Sequence, residues 1–300
     1  MREFVGVRDP FEVIRCPSLK RDALLFNRVT IPTYELFLQI YKKALPSIDY
    51  SIYERELEWL TEQGIFFDSK ANLPSGVIES LIKNNQEFRK YTKLFVDYIS
   101  PPDGVDRSAF REALAASGPG MGEVFVRLTS IRLKEAEQKD AYPILTTNSL
   151  ASNVPEANKE TVIEIVLNEL PTLDNSVPWE HILEFRSDPD SFGKFLAIRN
   201  WMNEVSRNQL TPLEIEQKLE YLINQYRSHM ELHKMKINAG KLETIIVSSA
   251  EFLEDLMKVK WGNIAKGLFS FRQKKIAMLE GELTSPGSEV AYIVKAQDTF

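Results

Sequence analysis

Apolar and aromatic residues recur every three or four positions between Gly76 and Tyr98: Ile78, Leu81, Phe88, Tyr91, Phe95 and Tyr98, with Asn85 in the same row. A helix turns once in about 3.6 residues, so this spacing predicts one amphipathic helix over Gly76–Tyr98 with an apolar face that must be covered. The same reasoning predicts helices over Tyr50–Gly64, Arg107–Ala116, Met121–Gln138, Leu242–Lys260 and Ile264–Leu283, with Gly64 as a helix stop. Thr211-Pro212-Leu213-Glu214 has the form of a helix start, with a threonine cap, a proline in the first turn and a glutamate three residues on. The helix it opens is expected to run to Lys236.

Short β-branched or aromatic runs suggest strands near residues 24–32, 64–68, 142–146, 162–167 and 290–295. The run "TVIEIVLNELP" is ambiguous, because Glu164 and Asn168 at four-residue spacing also suit a helix. The fold class expected is α+β, mainly α. A mixed α/β region spans 1–170, and a helical region spans 177–300 and ends in a short strand. The boundary falls in the Pro171–Ser176 loop. The alternative is a single fused unit in which the scattered strands share one sheet.

A chain of 300 residues, 43% hydrophobic and 27% charged, can bury a core without a metal or disulfide staple. Cys16 is the only cysteine, so no intramolecular disulfide forms, and the chain reads as one from a reducing compartment. No apolar run approaches the roughly 20 residues of a membrane helix. Arg2, Glu3, Arg8 and Asp9 break up the start as a signal peptide. A cytoplasmic location is therefore expected. The net charge of −6 gives no global attraction to nucleic acid or to an anionic membrane.

Several motifs resemble sites. His229 and His233 in "HMELH" stand four apart, a spacing that can chelate a metal. The protease form of that motif needs glutamate directly after the first histidine, where this chain has Met230. Ile215, Leu219, Leu222 and Tyr226 lead up to the histidines at helical spacing, so packed histidines are the simpler reading, and no metal site is assigned. "SGPGMGEVF" (Ser117–Phe125) has glycines before a helix, as a phosphate cradle does. It lacks the P-loop lysine, and a helical pattern precedes it where a dinucleotide site needs a strand. It reads as a helix–helix turn, and no cofactor is expected. No G-x-S-x-G nucleophile is present, and the Glu-x-Lys pairs fall in helical patterns.

"KVKWGNIAKGLFSFRQKK" (Lys258–Lys275) carries six basic residues and no acidic one. Lys258, Lys260, Lys266, Arg272, Lys274 and Lys275, interleaved with Trp261, form a candidate contact for a polyanion, nucleic acid included, or an acidic protein partner. The plainer reading packs the aromatics and solvates the lysines. A membrane partner is not expected, and homo-oligomerisation is left open. A winged-helix reading of Glu54–Phe67 is the weakest, since that segment is acidic.

Four carboxylates, two arginines, one histidine and two tryptophans share the 26 residues Val177–Met202. Two consecutive helices account for most of them: Ser176 as cap with Pro178 and Glu180 in a first turn, then Asp188, Pro189 and Asp190 at the next start. Phe192, Phe195, Ile198, Met202 and Val205 make the second helix's apolar face. The meeting of Trp179, Arg186, Arg199 and Trp201 is not explained by capping. Arg186 and Arg199 are candidate binding residues. Glu180, Asp188 and Asp190 are the candidate ligands of an alternative metal-dependent hydrolase or nuclease.

The P-W-E-x-I-L-x-F-R run (Pro178–Arg186), with "LLFNRVTIP" and "PGSEVAYIVKA", resembles segments of a group of uncharacterised bacterial proteins. The resemblance covers about a fifth of the chain and brings no activity or catalytic residue. It implies an accessory of a bacterial defence or stress system. The expectation is a cytoplasmic, non-enzymatic interaction or regulatory protein.

Overall fold

The computed structural model describes residues 2–10, 19–69, 75–99, 106, 120–145, 157–174, 176–231 and 285–300. Among the described residues the chain is mainly α with one small parallel sheet. It divides into two compact units, Met1–Val154 with Val166–Arg186, and Pro155–Ile165 with Ser187–Phe300.

The first unit is built on strand β1, Phe4–Arg8, in which all five residues are buried. It lies between β2 (Arg28–Thr30) and β3 (Asp140–Ile144), and both pairings are parallel. A central parallel strand is covered on both faces, so "FVGVR" shows no polar alternation and gives no strand signal by period. Parallel neighbours need crossovers. Helix α1 (Leu19–Leu25) supplies the first, and α2 (Tyr34–Ala44), α3 (Ser51–Glu62), α4 (Ser75–Asn84), α5 (Gln86–Ile99) and α6 (Met121–Ala136) lie between β2 and β3. Val5, Val7, Val126, Leu133 and Ala141 form one core cluster. Leu81, Phe88, Tyr91, Tyr98, Val124 and Ile131 form another.

The Gly76–Tyr98 periodicity belongs to two helices. Asn85 interrupts it, because its side-chain oxygen accepts the Phe88 backbone N–H at 2.9 Å and caps the start of α5. Gly64 does end α3, at φ 71°. The 64–68 run contributes an isolated parallel bridge, Phe66 to Val29, beside β2. Only Arg28–Thr30 of the 24–32 run is strand, since Leu19–Leu25 is helical.

Gly6 is a close-approach position. An added Cβ would lie 2.6 Å from Ile144 Cδ1 and 2.7 Å from Phe26 Cδ2. At the end of β1, Arg8 pairs with Asp22 of α1, Nε to Oδ2 at 2.5 Å and Nη2 to Oδ1 at 3.2 Å. Both residues are fully enclosed, at 1% and 0% exposure. The next residue, Asp9, sets its carboxylate against Gly122, in the first turn of α6, where a Cβ would meet Oδ2 at 1.9 Å. A negative charge is favoured at a helix start. Of the glycines in the Ser117–Phe125 stretch, Gly122 thus faces the chain's own aspartate, while the residues before Gly120, on which the helix–helix turn reading also rests, lie outside the described residues.

Two expected strands are helices. Residues 162–167 lie in α7 (Lys159–Glu169), whose start is capped by Asn158 Oδ1 accepting the Thr161 N–H at 3.0 Å. Residues 290–295 lie in a 3-10 turn (Ser288–Val290) and α11 (Ala291–Thr299). Both runs are short and apolar nearly all round: Val162, Ile163, Ile165, Val166 and Leu167 are buried, as are Val290 through Val294. A helix enclosed on most sides shows no amphipathic period, so its β-branched residues imitate a strand.

The second unit holds α9 (Pro189–Val205), α10 (residues 212–231) and α11. Helix α8 (Trp179–Ser187) immediately precedes α9 in the chain. The Thr211–Glu214 cap forms as expected: Thr211 N donates to Glu214 Oε2 at 2.8 Å, and Glu214 N donates to Thr211 Oγ1 at 3.3 Å. Phe195, Ile198, Met202 and Val205 are buried, but Phe192 is 48% exposed. The buried side of α10 is Ile215, Leu219, Ile223, Tyr226 and Met230, with His229 only half-buried beside it. Gly287, at φ 79°, passes so close to α10 that a Cβ would lie 2.3 Å from the Leu222 carbonyl oxygen. Among the described residues, no helix is long and apolar enough to cross a membrane.

Candidate functional site

Helix α9 begins at Asp188, whose extended backbone (φ −61°, ψ 124°) and carboxylate form the cap. Asp188 Oδ2 accepts the Ser191 backbone N–H at 3.0 Å and the Ser191 hydroxyl at 2.9 Å. Pro189 occupies the first turn, where a missing N–H costs nothing. Lys295 of α11 donates to Asp188 Oδ2 and to Asp190 Oδ2, the second at 2.7 Å. Lys194, one turn along from Asp190, donates to both of its oxygens at 2.6 Å.

This clasp shifts its own titrations. The Lys295 hydrogen bond, then the Ser191 backbone and hydroxyl donors, hold Asp188 well below the usual carboxylate range. Burial raises Asp190, but hydrogen bonds from Lys194 and Lys295 outweigh it and lower the group. Burial disfavours the Lys295 ammonium, and its two aspartate partners still raise its pKa.

Beside the clasp lies a pocket of about 650 Å³. Pro189, Gly193, Ala197 and Trp201 line it at four-residue intervals along α9, with Glu204, Lys218 and Glu289 among its polar residues. Trp201 is 5% exposed, and its indole Nε1 is buried without an acceptor among the described residues.

The carboxylates expected to act together are divided. Asp188 and Asp190 belong to the second unit and are engaged by lysines. Glu180 belongs to the first, where it lines an open groove of about 410 Å³ with Ile52, Arg55, Glu56, Trp59 and Trp179. In that groove Trp179 Nε1 donates to Glu56 Oε1 at 2.6 Å, and its ring lies 6.4 Å from that of Trp59. Lys20 sits 5.9 Å over the Trp179 ring and donates to the Asp174 and Val177 carbonyls at 3.0 and 2.8 Å. Ser176 does not cap α8; its N–H and hydroxyl turn back to Asp174 Oδ1.

The two arginines and two tryptophans of the 177–202 stretch fall into separate settings. Arg186 donates to the Asn27 carbonyl at 2.8 Å, in the first unit with Trp179. Arg199 is buried in the second, its guanidinium 5.8 Å over the Phe195 ring. His233 and the whole Lys258–Lys275 stretch, including Lys258, Lys260, Trp261, Lys266, Arg272, Lys274 and Lys275, lie outside the described residues. So does Cys16. Among the described residues, no group of three or more His, Cys, Asp or Glu side chains is placed to hold a metal ion.

Sequence reasoning missed Lys295, Glu204, Lys218 and Glu289. The Asp190–Lys194 spacing was a readable signal for an ion pair on a helix. Lys295 was not, because its segment carried a strand pattern. Compared with protein-family models, with curated proteins and with solved structures, the chain finds no match in any of the three.

Proposed function

We propose that this chain is a non-enzymatic interaction or regulatory protein. The observation that supports it is the clasp: Asp188, Asp190, Lys194 and Lys295 neutralise one another. An active site needs an acid, base or nucleophile held ready for substrate. Here Asp188 and Asp190, two of the candidate acids, are committed to structural lysines and to a helix cap. Binding to the α9 pocket or to other surfaces asks for no such spare group.

The finer reading keeps Lys258–Lys275 as the contact surface for a polyanion or an acidic protein, in the cytoplasm. The resemblance of the Pro178–Arg186 run supports a place among bacterial defence or stress accessories. The test titrates the full chain with heparin and with single-stranded DNA at two salt concentrations. Reversing Lys260, Lys266 and Lys274 to glutamate should weaken binding and flatten its salt dependence. Unchanged binding by a folded variant ends that surface's role.

The rival, a metal-dependent hydrolase or nuclease on Asp188 and Asp190, requires a divalent ion to displace Lys295. It predicts metal uptake by the pure protein, and cleavage of nucleic acid or nucleotides that Asp188→Asn and Asp190→Asn abolish.

A further inference from the structure

Helix α2 carries apolar side chains on two opposite sides. Phe37 is buried, and Tyr34, Leu38 and Tyr41 are half-buried beside it, so these four mark the face packed on the first unit. At about 100° per residue, Leu36, Gln39, Ile40 and Lys43 fall on the opposite face. A helix packed on one side normally turns charged and polar residues outward, as α3 does with Arg55, Glu58 and Glu62. Leu36 and Ile40 depart from that pattern, at 55% and 49% exposure. Leu45 and Ile48 in the following turn are exposed too, as is Ile52 at the start of α3. The Lys42–Glu54 ion pair, Nζ to Oε1 at 2.7 Å, holds the start of α3 beside the end of α2, so these side chains belong to one surface. Single exposed apolar residues are ordinary, but a group of them on one surface marks an interface.

Charge decides what lies on this surface. Glu35 stands in the first turn of α2, and Lys42 and Lys43 stand in its last. Glu35 and Lys43 are exposed. Each placement suits the helix's own dipole. The same polarity makes the face complementary to itself when two copies meet antiparallel. A two-fold axis near Gln39 sets Leu36 of each copy against Ile40 of the other. It also brings Glu35 of each within reach of Lys43 of the other. A parallel meeting would instead set Glu35 against Glu35 and Lys43 against Lys43. We infer that this face of α2 is the interface of an isologous dimer, with a second copy of this chain as its occupant and Leu45, Ile48 and Ile52 extending the apolar contact. An apolar centre with opposite charges at its rim is the usual anatomy of such an interface. This surface is independent of the polyanion contact proposed for Lys258–Lys275.

The test is sedimentation equilibrium of the full chain. Over a range reaching about 0.1 mM, the native chain should show a reversible monomer–dimer equilibrium. Ile40→Glu, at an exposed position, should leave the circular dichroism spectrum unchanged and weaken the dimer at least about ten-fold. Glu35→Lys and Lys43→Glu should each weaken it by a smaller factor, because each sets like charges together at both ends of the contact. An equal mixture of those two variants should associate as the native chain does, since both ends of the mixed dimer then pair opposite charges. Cover of α2 by another segment of the same chain, or by a different protein, predicts a monomer at every concentration and no gain on mixing. A monomeric native chain, a dimer indifferent to Ile40→Glu, or a mixture that associates no better than its separate components overturns the assignment. Rescue by mixing reads the antiparallel register itself, so it tests the interface even if Ile40→Glu fails to fold.

Discussion

Lys295 binds Asp188 and Asp190 together, 107 and 105 residues away along the chain. One ammonium thus ties the last helix to the cap of α9. Replacing Lys295 with methionine should lower stability by about 1 kcal/mol or less, because the site is partly solvated. Asp188→Ala should cost more, about 1–2 kcal/mol, since it removes the cap as well. Asp188→Asn should recover part of that loss. Urea denaturation measures all three.

The clasp also has a pH signature. Asp188 and Asp190 are lowered in the folded state, so their contribution is present above the ordinary carboxylate pKa, near about 4, and is lost as acid protonates them. Lys295 is raised, so its contribution is present below the ordinary lysine pKa, near about 10.4, and fades as pH rises through its folded value. The stability gap between the native chain and Lys295→Met should be widest at neutral pH and close at both ends. A gap that stays constant from strong acid to pH 7 would show that the aspartates do not act through Lys295.

Gly122→Ala should destabilise the first unit by about 1–3 kcal/mol, because its Cβ would enter the space of the Asp9 carboxylate. In an Asp9→Ala background the same change should cost much less, since the clash is gone. A double-mutant cycle by chemical denaturation reads the coupling.

Arg8 and Asp22 form an enclosed pair, so losing Asp22 takes a carboxylate away from a buried guanidinium. Asp22→Ala should cost about 3–5 kcal/mol. The double variant Arg8→Met, Asp22→Leu should be more stable than Asp22→Ala, because the buried guanidinium leaves together with its carboxylate. Thermal unfolding of the three proteins orders them.

Burial, then the charges of Glu54 and Glu58, pushes the Tyr34 phenol up to about 12. Its hydroxyl has no hydrogen-bond partner among the described residues. Tyr34→Phe should therefore leave stability unchanged or slightly raised. Ultraviolet titration of tyrosinate should lose its step near pH 12 in that variant. Loss of a step near pH 10 instead would show an ordinary solvated phenol.

Features whose causes are local were legible along the chain. The mainly helical character, the stop at Gly64, the reciprocal Thr211–Glu214 cap and the Asp188 cap rest on residues within a turn of one another, and each took the form its residues dictated. Asn85 shows the limit of that reasoning: an apolar period can continue through a polar residue that begins a second helix.

Tertiary structure decided what depends on distant partners. Whether "FVGVR" is a strand and "EVAYIVKA" a helix turns on burial from all sides, which erases the periodicity that distinguishes them. The partners of Asp9, Asp22 and Asp188 lie respectively at Gly122, Arg8 and Lys295. The pocket follows the same rule. Gly193, Ala197 and Trp201 are legible as one helix face, but Lys218 and Glu289 join them only when separate helices pack, because long-range contacts leave no mark on local spacing.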